Sequence, residues 1–487
     1  MNYKNNKSIW TDIEDVFICD ELNENLDVDV LIIGGGITGI STLYHLKDSN
    51  LKVCLVEKNT IGSGITSKTT GKLTYLQENI LSKISTYLNK DSAKLYLESQ
   101  KDAINIVKEI IEKENIDCNL EQVDSYLIGI NTSKQLNKEI NLLKEFNIKV
   151  RETNKLPDNK IIDKAVYVND TYVFHPLKYL YNLKRICMDN DLLIYENTKI
   201  IDIKKIDDYY ICKTYKHYIK TKKVVLALHY PYFLIPYLMP LKCYLEKSYI
   251  KALNVDKNHK YSAITPNKPT LSIRYHSDNN KHYKIVLKNS HNLAIKNNEK
   301  NNFETLINGD NPEYVWSNID IITNDSIPFI GALDDNFSFL IGTGYNTWGM
   351  TNGSLAGKII SDIILKKDNK YTSLFDPRRK INIGKIINTP LILSANAYSF
   401  TKSKLSKNKY WYTNNVRFEK RNGKDIGIYI DENNKEHIVY NKCPHLKCGL
   451  QFNEIEKTWD CPCHASRFDL DGKSIEGPSN YNITYKD

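Results

Sequence analysis

Apolar residues along this chain fall into two kinds of pattern, and the change from one to the other sets its organisation. VDVLII (28–33) is a nearly continuous apolar run of strand type, followed by a glycine-rich turn. Ile40, Leu43 and Leu46 then recur at helical spacing, and LKVCLVE (51–57) forms a second strand-like run. Residues 78–115 keep an i, i+3, i+4 apolar spacing and predict helices. Residues 117–130, 164–174, 200–227 and 245–287 predict strands broken by Asn-rich turns. FSFLIGT (337–343) predicts one more strand, and SLAGKIISDIIL (354–365) an amphipathic helix. From Val416 onward the pattern is strand–turn–strand, with turns at Asn422-Gly423, at 432–434 and at Asp471-Gly472. The fold class is therefore α/β followed by a small all-β unit.

Composition narrows this picture in three ways. The 487 residues suggest about three units, and 41% hydrophobic residues suffice for globular cores. The net charge of +9 comes from 67 basic and 58 acidic residues interspersed along the chain, with no basic run interleaved with aromatics, which argues against nucleic acid as a partner. No stretch reaches the roughly 18 uncharged apolar residues of a membrane span. The nearest, 224–240, is broken by His229 and three prolines. The first residues lack the apolar centre of a signal peptide, so the expected location is cytoplasmic with no integral membrane segment. Six of the ten cysteines are scattered, while Cys443, Cys448, Cys461 and Cys463 cluster, unlike an evenly stapled secreted scaffold.

The turn after the first strand is Gly34-x-Gly36-x-x-Gly39. Gly34 permits the tight turn, Gly36 lets a pyrophosphate approach the backbone, and Gly39 lets helix and strand pack closely. The helix N-terminus offers free N–H groups and a partial positive charge to phosphates. Glu57, 18 residues past Gly39 and at the end of the second strand, is placed to accept a ribose hydroxyl; Lys58 follows it. These residues predict a dinucleotide without choosing between FAD and NAD.

Further segments make the choice. IGSGITSKTTGKLT (61–74) follows the acid directly; DSIPFIGAL (325–333), FSFLIGT and GYNTWGMTNG (344–353) lie far downstream. Together they resemble the glycine oxidase/D-amino-acid oxidase (DAO) family of flavoproteins over residues ~25–370. The resemblance implies FAD, with Ser63, Thr66, Ser67, Thr70 and Lys72 along the flavin and the backbone near Ile200 beside adenine. Gly342, Gly344, Gly349, Met350 and a helix opening after Thr351 would face the electron-accepting edge of the ring, where a helix N-terminus suits negative charge. It also implies an interleaved antiparallel sheet carrying the substrate. Candidates there are Arg274, for a substrate carboxylate or as an ordinary strand arginine, His175 before Pro176, as acid–base or turn residue, and Trp316, as substrate wall or core. Lys72 completes the catalytic candidates. The usual glycine turn of that family is missing at VLKNSH (286–291), which leaves the local substrate geometry open.

The C-terminal cluster runs Cys443-x-His445, then 15 residues, then Cys461-x-x-His464. Two Cys and two His suit either zinc or an iron–sulfur centre. With Gly449, Pro462, Ser466 and Gly477-Pro478, the pattern resembles the Rieske [2Fe–2S] domain. That resemblance implies Cys443 and Cys461 on one iron, His445 and His464 on the other, and a disulfide between Cys448 and Cys463, against the plainer reading of two buried thiols. Ser466 matches a hydroxyl that hydrogen-bonds a cluster sulfur, while Phe468 stands where the high-potential members carry tyrosine, which implies a lower potential. The expected layout is a DAO-type unit at 1–371, with FAD-binding parts at about 27–75, 190–230 and 320–371 and substrate-side parts at about 76–189 and 231–319. A linker at 372–404 and a Rieske domain at 405–487 follow.

The combination implies an FAD-dependent oxidoreductase that takes a hydride from a small amine or amino acid. Electrons then pass singly to the [2Fe–2S] cluster and on to an external acceptor protein. Two alternatives compete: a reductase in which the cluster, fed by an external donor, reduces the flavin, and a redox sensor or electron carrier.

Overall fold

A computed structural model describes residues 4–5, 7–14, 16–129, 133–230, 242–266, 270–278, 280–292, 304–380, 415–445, 447–454, 456–463, 466–477, 479 and 481–486. Strand Leu26–Ile33 lies at the centre of a sheet that has eight strands among the described residues. Val53–Val56 and Tyr218–Leu226 flank it in parallel, with Leu193–Tyr195 beyond the first and Phe339–Thr343 beyond the second. Phe329–Ala332 pairs antiparallel at that edge. Strands buried on both faces need no alternation, which is why VLII (30–33) and VCLV (53–56) are apolar throughout.

Helix Ile37–His45 packs on helix Gly349–Ile364, and the two come unusually close. A Cβ on Gly353 would stand 2.6 Å from Ile37 Cγ2, and one on Gly357 2.4 Å from Ser41 Cβ. The later helix starts at Gly349 rather than after Thr351, so Thr351 lies inside its first turn with its hydroxyl directed to the Trp348 carbonyl.

The intervening segments form a second, mostly antiparallel sheet of ten strands among the described residues. Its central run is Tyr314–Thr323, Cys243–Val255, Lys281–Asn292 and Leu271–Asp278. The predicted helical region forms helices Ile80–Tyr87 and Lys90–Lys113. Residues 231–241, part of the apolar stretch noted above, lie outside the described residues.

The small β unit contains two sheets. Val416–Arg421, Lys424–Ile430 and Glu436–Tyr440 form one; Gln451–Asn453, Thr458–Asp460, Arg467–Phe468 and Ser474–Glu476 form the other. Trp459 is its largest buried side chain and lies against Gly427, where a Cβ would come within 2.7 Å of the indole. The expected linker is corrected at its start. Residues 372–380 are packed rather than linking: Leu374 and Phe375 are buried, and Arg379 holds Asp325 at 2.8 Å and the Pro328 carbonyl at 3.0 Å. The rest of the linker, and residues 405–414 of the expected Rieske domain, lie outside the described residues.

Candidate functional site

A cavity of about 460 Å³ opens where the parallel sheet, the edge of the antiparallel sheet and the small β unit meet. At one end is the glycine turn. A Cβ on Gly34 would meet the Ala227 carbonyl oxygen at 2.4 Å, and one on Gly39 the Gly34 oxygen at 1.9 Å, so both positions demand glycine for packing. Gly36 differs: its added Cβ would meet only Thr66 Oγ1, at 3.2 Å, and Gly36 lines the cavity. The absent Cβ leaves backbone exposed for a phosphate.

Glu57 lines the same end. Its carboxylate accepts N–H bonds from Gly35 at 2.7 Å and Asn59 at 2.9 Å. Burial raises its pKa against the opposing pull of these two amides. Each oxygen retains a lone pair for a ribose hydroxyl. The turn and the acid therefore fit a dinucleotide.

Most of the expected cofactor residues line the cavity: Lys58, Ser63, Thr66, Ser67, Ile200, Gly342, Gly344, Gly349 and Met350 do so. Thr66 Oγ1 accepts the Ile37 N–H at 3.1 Å and thereby caps the first helix. Thr70, Lys72 and Thr351 are not among the lining residues. The Thr70 carbonyl, rather than its side chain, is the functional group, because Arg274 donates to it.

The three catalytic candidates need correction, since none reaches the cavity. Arg274 is fully buried, and its guanidinium donates to the carbonyls of Thr70, Gly71, Phe174 and Tyr275. It holds the 61–74 loop from behind and stacks on Trp10 at 5.0 Å. Trp10 in turn donates to the Thr69 carbonyl at 2.7 Å. His175 caps helix Pro176–Asp189, accepting the Lys178 N–H, and burial with nearby Lys178 and Arg274 lowers its pKa to about 3. Lys72 donates to the Ala263 carbonyl at 2.9 Å and Ser272 Oγ at 2.7 Å; burial, then Arg274, lowers its pKa to about 7. A strand-centre arginine and a pre-proline histidine carry the same sequence pattern in either role, so only the contacts decide. Trp316 does line the cavity, with its indole N–H donated to the Lys68 carbonyl at 2.9 Å.

The far wall had no motif. Asn318, Asp320 and His229 line it, and Glu456, Arg467 and Glu476 of the small β unit close it. Lys68, in the 61–74 loop, reaches Glu476 at 2.8 Å. Glu456 is contacted by Lys247 at 2.8 Å and Arg467 at 2.9 Å, and accepts from Ser317. Lys247 is 1% exposed and Glu456 3%, so this ion network is internal. Burial alone would raise the Glu456 pKa, but Arg467 and Lys247 outweigh it and hold the carboxyl far below the usual range. The one signal available in the sequence was the Trp316-x-Asn318-x-Asp320 alternation, which puts two polar side chains on the face shared with Trp316.

Beyond this wall are the cysteine loops. Cys448 and Cys463 are joined by a disulfide, while Cys443 and Cys461 are buried thiols. The sulfurs of Cys448, Cys461 and Cys463 lie within 4.8 Å of one another. The Cys443 N–H donates to the Cys448 carbonyl at 2.8 Å, and the Cys461 N–H to the Ser466 carbonyl at 2.7 Å. His445 is partly exposed on the first loop. Two thiols on loops tied by a disulfide, with an imidazole beside them, fit a cluster of mixed Cys and His ligation. Ser466 is buried and its Oγ accepts the Ser479 N–H at 3.1 Å; Phe468 is buried in the core. His464 and Pro478 lie outside the described residues.

Known proteins share both halves. The family model described as FAD dependent oxidoreductase (DAO) matches residues 29–363, and that of the Rieske [2Fe-2S] domain matches 402–485. The Rieske 2Fe-2S iron-sulfur protein YhfW of Bacillus subtilis is 31% identical over 97% of this chain and 96% of its own length. Gamma-glutamylputrescine oxidoreductase of Escherichia coli is 21% identical over 79% of this chain and 95% of its own. Among solved structures, glycine oxidase from Geobacillus kaustophilus superposes with a TM-score of 0.60 at 18% identity, covering 73% of this chain and 100% of that one. L-proline dehydrogenase from P. horikoshii gives 0.59 at 17%, covering 74% and 98%. The chain belongs to the DAO family of FAD dependent oxidoreductases and carries a C-terminal Rieske [2Fe-2S] domain.

Proposed function

We propose that this enzyme oxidises a small amine or amino acid at the C–H bond beside nitrogen, leaving a C=N bond and two protons released to solvent. When bound, FAD supplies the two-electron acceptor, and the Rieske cluster supplies a one-electron outlet to an external acceptor protein. The observation that carries this reading is the shared wall. Residues of the Rieske unit close the cavity that the glycine turn opens, and Lys68 of the 61–74 loop is ion-paired to Glu476 across the junction.

In this reading Gly36, Glu57 and the start of helix Ile37–His45 hold the dinucleotide, and Arg274 fixes the loop beside it. Cys443 and Cys461 hold one iron, His445 and His464 the other. The flavin unit extends to about residue 380, and the Rieske unit begins after about residue 405. Among the described residues no helix is long and apolar enough to cross a membrane.

The test is anaerobic addition of a panel of amines and amino acids to the holoenzyme. The ~450 nm flavin band should bleach and a Rieske-type EPR signal should grow. In His464→Ala the EPR signal should vanish while bleaching persists. If no compound bleaches the flavin, yet an external donor reduces the cluster rapidly, the oxidative reading is wrong.

A further inference from the structure

Three amide side chains are buried where helix Lys90–Lys113 meets the opening of helix Gly349–Ile364: Gln77 is 1% exposed, and Gln100 and Asn352 are 0% exposed. Their hydrogen bonds all run one way. Gln77 Nε2 donates to Gln100 Oε1 at 2.9 Å, and Gln100 Nε2 donates to Asn352 Oδ1 at 2.9 Å. Asn352 Nδ2 then donates to the carbonyls of Trp348 at 3.3 Å and Tyr345 at 3.5 Å. The starting end is fixed as well, since Gln77 Nε2 also donates to the Thr74 carbonyl at 2.8 Å and Tyr96 donates to Gln77 Oε1 at 2.8 Å. Each amide oxygen accepts from the group before it, so none of the three can flip without breaking the chain. This relay joins the end of the 61–74 loop, at Thr74, to the turn 345–348.

That turn is strained. Asn346 and Thr347 have φ values of +52° and +71°, in a left-handed region that a β-branched residue such as Thr347 rarely enters. Strain of this kind persists only where the surroundings over-determine it. Three neighbours do so. Asn346 Oδ1 accepts the Thr323 N–H at 2.8 Å, the hydroxyls of Tyr345 and Thr38 share a hydrogen bond at 2.7 Å, and the relay holds the Tyr345 and Trp348 carbonyls. The strained segment also borders the cofactor site: Thr347, Gly349 and Met350 line the cavity, and Trp348 gives the helix no side-chain cap. Two helices thus open on one cavity. The pyrophosphate belongs at the first, beside Gly36, and reduced flavin carries further negative charge that the N–H groups of the second can meet.

We propose that Gln100 is a positioning residue for the flavin: through Asn352 it holds the Thr347–Met350 backbone in the geometry that favours reduced FAD, and so makes the flavin easier to reduce. Gln100 is not among the residues lining the cavity and acts at one remove. An apolar side chain would pack the two helices as well, but could not orient Asn352. The proposal depends on FAD, and on neither the substrate nor the direction of electron flow.

The test is anaerobic equilibration of the FAD-loaded protein with a two-electron reference dye, read at the flavin and dye bands. Gln100→Met keeps the length of the side chain and removes both ends of its amide. It should shift the equilibrium at least about fivefold toward oxidised flavin. Gln100→Glu is the conservative rescue: burial keeps its carboxyl protonated, so it can still accept from Gln77 and donate to Asn352, and the wild-type equilibrium should return. Val107→Ala, a fully buried site on the same helix outside the relay, should stay within about twofold of wild type. An unshifted Gln100→Met protein overturns the proposal, as does an equal shift in Val107→Ala or no recovery in Gln100→Glu. A Gln100→Met protein that cannot retain FAD overturns it too, because the residue then serves binding. No substrate enters this test, so failure of the amine panel would sink the oxidative reading and leave this one standing.

Discussion

The junction between the two cofactor units depends on Glu456, and its removal has a calculable consequence. Its carboxylate lies 2.8 Å from Lys247 and 2.9 Å from Arg467. At an effective dielectric of about 20, each contact carries roughly 6 kcal/mol of gross attraction, largely offset by desolvation. Glu456→Gln keeps the shape and deletes the charge. Arg467 retains Asp460 and Glu476, both at 3.3 Å, and Lys247 keeps Asp460 at 3.7 Å while losing its 2.8 Å contact. Deleting the charge that a 1% exposed lysine and a buried arginine both contact should cost about 3–5 kcal/mol. The assay is urea unfolding of the holoenzyme, with hydrogen exchange read at Tyr314–Thr323 and Thr458–Asp460. Both stretches should lose protection, and cluster reduction after flavin reduction should slow. Adding Lys247→Met should restore much of the stability, because the opposing buried charge is removed as well. A Glu456→Gln protein within about 1 kcal/mol of wild type, with protection unchanged, would refute this account of the junction.

Three further outcomes follow from single sites. Asp320 has its folded pKa raised from 3.8 to about 7, so its favourable protonated state is fully present below the unfolded value and is lost as pH rises through the folded one. Asp320→Asn should therefore match wild type near pH 4 and exceed it by up to about 4 kcal/mol at pH 8, measured by denaturant titration at both pH values. Gly36→Ala should fold normally, since its nearest neighbour would be Thr66 Oγ1 at 3.2 Å, but should bind FAD at least about tenfold more weakly in a fluorescence titration. Arg274→Lys cannot reproduce the fork that serves four carbonyls; it should lose about 2–3 kcal/mol of stability and some FAD affinity, leaving the ranking of amine and amino-acid probes unchanged.

What could be read from the chain alone depended on how local each requirement was. Gly34, Gly36 and Gly39 share one strand–turn–helix, with Gly39 set by the Gly34 carbonyl of the same turn, and the four clustered cysteines lie in two short loops. Both were legible for that reason. Arg274 was placed on the correct sheet but assigned the wrong partner, since a strand pattern does not say whether a buried guanidinium meets ligand or carbonyl. Asp320 is one acid in an otherwise ordinary strand. Its environment comes from Glu246 and Glu476, brought to it by strand pairing and by the small β unit that follows later in the chain. The Glu456–Lys247 contact has the same origin, and nothing near either residue announces the other. The 372–380 segment read as linker because it opens a stretch, 372–410, that mixes prolines, basic residues and short apolar segments, yet Arg379 anchors it to Asp325.

The interleaving of the first unit also governs its order of assembly. Strand Leu26–Ile33 pairs with Tyr218–Leu226, and that strand pairs with Phe339–Thr343. During synthesis the nucleotide sheet cannot close until about 340 residues have emerged, and its earliest strand waits with an open edge for most of that time. The C-terminal sheets, by contrast, pair neighbours in the chain and close within one short stretch. On the ribosome, then, the docking surface for the late unit is finished only shortly before the late unit itself appears, and each newly made molecule has its own second half at hand to cover the acidic wall.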